Sequence, residues 1–137
     1  MQVHAYLYFD GRCEEAIEFY RQALGAEVKQ LMRYKDNPDP PAEDMVPPGS
    51  GEKVMHCALQ IGTSEVFVSD GRCMGQPNFQ GVSMALTLPD ADQAQKTFAA
   101  LADGGQVQMP PARTFFSPSF GIVADRFGVS WIVVTSP

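Results

Sequence analysis

The sequence predicts an α+β fold made of two tandem βαβββ modules. Two observations carry this. Apolar periodicity switches from alternation to a helical stripe and back, and it does so twice along the chain. The residues at the first helix-to-strand exit, Phe19, Ala23, Gly25 and Val28, also return with identical offsets as Phe98, Ala102, Gly104 and Val107. One βαβββ unit covers its sheet poorly alone, so pairing two units is the expected solution. At 137 residues the chain is long enough for a single domain, 1–137, of two such halves. The halves are expected at 1–70 and 82–137, with a connection over 71–81.

Ala5–Phe9 is a strand rich in aromatic residues, broken by Asp10-Gly11, which is placed to help cap the first helix. Cys13 to Leu24 is helical: Cys13, Ile17, Tyr20 and Leu24 share a face widened by Ala16, Phe19 and Ala23. Glu14, Glu15 and Glu18 sit near its N-terminal end, where the dipole favours negative charge, and Gly25 closes it. Val28–Tyr34 is a second strand. Lys35–Gly51 holds five prolines and few large apolar residues, so no regular element is expected there. Val54–Ile61 and Glu65–Ser69 form a hairpin around Gly62-Thr63-Ser64.

The second half repeats the plan. Ser83–Leu88 is a strand stopped by Pro89, and Asp90 is a good N-cap. Ala91, Ala94, Phe98 and Leu101 form the helical stripe, and Gly104-Gly105 ends it. Val107–Met109 starts a strand that Pro110-Pro111 should cut off. Gly121–Ala124 and Val129–Thr135 make a last hairpin around Asp125-Arg126-Phe127-Gly128.

Composition narrows the function. The formal net charge of −6, with no basic run, argues against a nucleic-acid partner, because neutralising phosphates takes a cationic face. It argues equally against an electrostatic membrane anchor. No apolar stretch approaches the roughly 18 to 20 residues of a membrane span. The start, Met-Gln-Val-His, lacks the basic and apolar run of a signal peptide. Cys13, Cys57 and Cys73 are odd in number and share no metal-type spacing. They read as reduced thiols, and the protein as cytoplasmic.

Several stretches together resemble the vicinal oxygen chelate superfamily, which includes glyoxalase I, bleomycin resistance proteins and extradiol dioxygenases. They are Tyr6 through Tyr20, Leu24-Gly25-Ala26-Glu27, Val54 through Leu59, Val68-Ser69-Asp70, Thr114-Phe115-Phe116, Phe120-Gly121 and Asp125 through Trp131. The Asp-x-Phe-Gly-x-x-Trp turn makes the chain most similar to the PhnB-like branch. The resemblance implies a curved mixed sheet forming a cup, with helices on its convex face, and a homodimer. Some members carry a demethylubiquinone methyltransferase-like description. The sequence shows no Gly-x-Gly strand–turn to cradle a nucleotide-like cofactor, and Gly49-Ser50-Gly51-Glu52-Lys53 lacks the spacing of a phosphate loop.

Superfamily enzymes hold a divalent metal through His and Glu at four cup positions. Carried over residue by residue, these fall on Ala5, Phe67, Ser83 and Ile132. None is a usual ligand. A one-residue shift would bring His4 to the first position and repair none of the others. No metal and no cofactor are therefore expected. Alternation would then place Leu7 and Phe9 with Ala5, Ala85 with Ser83, and Tyr6, Tyr8 and Trp131 on the helix side. The expected ligand pocket is Ala5, Leu7, Phe9, Phe67, Ser83, Ala85 and Ile132, a lining suited to a small, partly apolar molecule. The same side chains could equally fill a small core or meet a partner subunit.

His4 falls on the helix side in this reading, as a structural histidine. His56 and Glu65 are weak candidates for proton transfer, since each lacks an evident partner. Arg33 and Arg113 could pin an anion, though such residues more often form surface pairs. Two alternatives stay open: a metal-dependent lyase, isomerase or dioxygenase with displaced ligands, and an antibiotic-sequestering protein.

Overall fold

The structure, a computed structural model, describes residues 1–38, 49–71 and 77–137. Pro40, Pro41, Pro47 and Pro48 of the proline-rich stretch, Cys73, and part of the expected connection lie outside the described residues. The chain divides into two compact units, Met1–Pro77 and Asn78–Pro137.

In the first unit the order is β1 (Tyr6–Tyr8), α1 (Cys13–Leu24), β2 (Glu27–Arg33), β3 (Val54–Ile61) and β4 (Ser64–Ser69). In the second it is β5 (Met84–Leu88), α2 (Ala91–Ala102), β6 (Gln106–Ala112), β7 (Phe120–Ala124) and β8 (Ser130–Thr135). Each unit is thus a βαβββ module with one mixed, four-stranded sheet. The strand orders are β1-β4-β3-β2 and β5-β8-β7-β6, the first pair in each being parallel and the others antiparallel. Single 3₁₀ turns at Tyr34–Asp36 and Ser50–Glu52 add short regular structure to the ends of the stretch expected to have none.

Helix α1 forms because Cys13, Ala16, Ile17, Phe19 and Tyr20 make one buried face, and it packs on β3 and β4. Gly25 terminates it in the left-handed conformation, φ 66°, which glycine adopts without a Cβ penalty. Its start is not capped by Asp10. The Asp70 carboxylate, from the end of β4, accepts from the N–H groups of Gly11 (2.7 Å) and Cys13 (2.8 Å), and from that of Val54 (2.8 Å). In α2 the expected cap is present: the Asp90 side chain accepts from Gln93 N–H at 2.8 Å.

The core of the second unit centres on Trp131, which is 1% exposed. Its indole N–H donates to the Asp125 carboxylate at 2.9 Å. The same carboxylate accepts from the N–H groups of Phe127 (2.9 Å) and Val129 (3.1 Å), closing the β7–β8 turn. Gly121 is required by close approach: a Cβ there would meet the Phe98 ring at 2.8 Å.

Strand β6 corrects one expectation. It runs through Pro110-Pro111 to Ala112 instead of ending before them. It is an edge strand, so prolines cost it no ladder partner on the solvent side. Both edge strands β2 and β6 slip register at matching positions of the repeat, between Val28 and Gln30 and between Val107 and Met109.

Cys13 and Cys57 are free, buried thiols, and burial pushes the Cys57 thiol up to about 11. Two outcomes are expected. Asp125→Ala should cost about 2–4 kcal/mol, since it orphans three buried donors; urea unfolding measures this against Asp90→Ala, a cap loss of about 1 kcal/mol. In a Cys73→Ser variant, Ellman's reagent at pH 8 should label nothing within minutes until denaturant is added, because Cys57 would be only about one part in a thousand thiolate there.

Candidate functional site

The two faces of the first sheet differ in kind. Pairing sets which residues share a face: Tyr6 lies beside Phe67, Leu7 beside Val68, and Ala58 opposite Phe67. Leu7, Phe9, Cys57, Leu59, Val66 and Val68 are buried on the helix side. Tyr6, Tyr8, His56, Glu65 and Phe67 take the other, open face.

This corrects the expected alternation of β1. Leu7 and Phe9 are core residues under α1, not pocket residues, and Ala5 falls on their side by alternation. Val68, the neighbour of Leu7 in the parallel pair, is 1% exposed, which fixes Leu7 to the helix side and Tyr6 to the open one. His4 consequently stands on the open face, its ring 4.8 Å from Phe67. Tyrosines tolerate this exposure because the phenol remains hydrated while the ring packs. A Tyr-Leu-Tyr-Phe order, with hydroxyls at alternate positions only, is the signal that could have marked the open face.

The open face is a cluster of rings. Tyr6 and Tyr8 stack at 5.0 Å between centroids, His56 lies 5.2 Å from Phe67, and Tyr6 lies 5.8 Å from Phe67. Tyr6 Oη is 2.8 Å from His56 Nδ1, a hydrogen bond whose donor depends on the imidazole tautomer. Burial, followed by the neighbouring Tyr8, pushes the Tyr6 phenol above its ordinary range, so it remains an O–H at neutral pH. His4 Nε2 lies 3.7 Å from Glu65 Oε1. His56 and Glu65, the weak sequence candidates, therefore sit on one face, each beside a partner that sequence reasoning missed.

The arginines are placed otherwise. Arg33 makes a two-pronged contact with Glu14, at 3.1 and 2.7 Å, and its hydrogen bond holds the Glu14 carboxyl below its ordinary range. Arg113 is exposed on the stretch after β6.

On the second sheet Ser83, Ala85 and Ile132 lie on the open face, with Trp131 and Val133 buried opposite. Ser83 Oγ donates to Ser130 Oγ at 2.9 Å. That face offers hydroxyls and aliphatic carbons from β5 and β8, and no imidazole or carboxylate from either strand.

A superfamily metal would need about three protein ligands converging on one point. Among the described residues no three His, Cys, Asp or Glu side chains come together in that way. His4 and Glu65 make a pair, and the facing side of His56 is engaged by Tyr6.

Comparisons with known proteins agree with this architecture. The family model described as 3-demethylubiquinone-9 3-methyltransferase matches residues 1–134. The chain is 28% identical to protein YjdN of Escherichia coli over 138 residues, covering 97% of this chain and 94% of YjdN. Among solved structures it is similar to PA1353 of Pseudomonas aeruginosa, with 36% identity, a TM-score of 0.85, and 99% and 98% of the two chains covered. It is also similar to the PhnB protein of Bacillus cereus, with 25% identity, a TM-score of 0.80, and coverage of 99% and 100%. A member of the glyoxalase/bleomycin resistance protein/dioxygenase superfamily from Sphaerobacter thermophilus shares the fold, with 18% identity, a TM-score of 0.60, and coverage of 99% and 98%. The two βαβββ modules and the match along almost the whole length place the chain in the family described as 3-demethylubiquinone-9 3-methyltransferase.

Proposed function

We propose that this protein binds a small, partly apolar molecule without a metal, on the open face of its first sheet. The observation that carries the reading is the cluster of Tyr6, Tyr8, His56 and Phe67, whose rings stay partly open to solvent. Apolar ring surface with a few polar tips is what such a ligand needs. The open face at Ser83, Ala85 and Ile132 is a second candidate surface of the same mixed character.

Methyl transfer is not part of this reading. A nucleotide-like cofactor is commonly held by free N–H groups at a strand-to-helix turn. At the start of α1 the Gly11 and Cys13 N–H groups are taken by Asp70, and at α2 the Gln93 N–H is taken by Asp90.

A homodimer belongs to the proposal. The resemblance implies it, and Phe115 and Phe116 are exposed apolar surface that a second copy could cover. Free thiols at Cys13 and Cys57 suit a reducing, cytoplasmic setting.

Thermal-shift screening of a fragment library, with amide NMR mapping of the hits, tests the binding. Ligand at about a hundredfold over its Kd should add about 2.7 kcal/mol of stability. The shifted amides should lie around Tyr6, His56 and Phe67, and Tyr6→Ala should remove the effect. Hits that map only to the second sheet would move the site to Ser83 and Ile132, and no hits would sink the reading. Light scattering at micromolar concentration should give twice the chain mass, and a monomer would remove the dimer.

A further inference from the structure

A carboxylate borders the ring cluster. Glu65 is a carboxylate on the open face, its side chain 38% exposed beside His4. The described lysines and arginines of the first unit are all engaged with other groups. Arg12 pairs with Glu15, Arg21 with Glu18, Lys29 with Glu27, Arg33 with Glu14 and Lys35 with Glu52. Lys53 donates to the Gly11 carbonyl at 2.8 Å. Each described lysine and arginine of this unit thus already has a partner other than the rings.

Aromatic faces carry the negative side of the ring quadrupole, and they attract cations that shed water readily. Tyr6 lies 5.0 Å from Tyr8 and 5.8 Å from Phe67, so rings of this kind adjoin on this face. Glu65 stands two residues from Phe67 on the same side of β4, as a counter-charge at the border of the rings. A compact ammonium such as a lysine head would stay hydrated, whereas a quaternary or aromatic ammonium loses little on leaving water. The overall charge of −6 would add long-range attraction for the same sign.

We infer that the open face of the first sheet selects an organic cation, with its quaternary or aromatic ammonium head over Tyr6 and Phe67 and Glu65 as counter-charge. This rests on the proposal that a small molecule binds that face, and it adds the ligand's chemical class.

Three probes sharing one ring system separate the two ideas: 2-naphthyltrimethylammonium, 2-naphthol and 2-naphthoate. Each is titrated into the full-length protein at pH 8, by calorimetry and by amide shifts. The ammonium should bind about tenfold more tightly than naphthoate, with naphthol between them. Glu65→Gln should weaken the ammonium about threefold and leave naphthol unchanged. Phe67→Leu should weaken the ammonium as well, and if that variant fails to fold, the Glu65→Gln comparison still decides. Naphthoate binding the face as tightly as the ammonium, or an ammonium affinity indifferent to Glu65→Gln, would overturn the cation inference and leave small-molecule binding standing. No probe shifting amides of this face would overturn both.

Discussion

The Asp70 carboxylate is the joint on which the first unit depends. It lies at the end of β4 and is 1% exposed. Three N–H groups converge on it, from the start of α1 and the start of β3. Burying an ionised carboxylate is costly unless its lone pairs are filled, and here they are filled by backbone. The contacts span 16 to 59 residues of sequence, so one side chain fixes the helix start against the sheet. The second unit solves a related problem locally, with Asp125 tying its own turn to the Trp131 indole.

Fixing β1 fixes the chemistry available on the open face. Leu7 and Phe9 go under the helix, and the tyrosines are left with His4, His56, Glu65 and Phe67. The two sheets share topology and differ in lining. The first carries rings and imidazoles, whereas β5 and β8 of the second carry small and aliphatic side chains with a Ser83–Ser130 hydrogen bond. Similarity of fold therefore says little about equivalence of the two faces, and the site has to be argued from its own residues.

Much of this was legible in the sequence. Periodicity alone located both helices, because Cys13–Leu24 and Ala91–Ala102 keep an apolar stripe with a glycine just beyond. The Asp90 cap was legible because cap and helix are neighbours in the chain. The Asp70 cap was not, since nothing local connects residue 70 to residue 11. The register of β1 was not legible either: counting back from Phe19-Tyr20 put Leu7 and Phe9 on the cup face, and the pairing of Leu7 with the buried Val68 puts them on the other. His56 was visible as a polar residue on a strand, but its Tyr6 partner lies 50 residues away and needed the sheet to bring it near. Pro110-Pro111 misled for a different reason: prolines forbid a central strand, and the sequence does not say that β6 is at an edge.

The slipped edges at Val28–Gln30 and Val107–Met109 bear on how such a chain tolerates change over evolutionary time. A strand held by one neighbour, and already carrying an unpaired residue, can gain or lose a residue beyond the slip without rephasing the strands inside the sheet. Its outer rim also makes a poor template for a foreign strand, because β6 lacks N–H groups at two adjacent positions. The least regular part of each module thereby serves as its buffer: sequence drift is absorbed at the rim, and the faces that hold rings or core keep their phase.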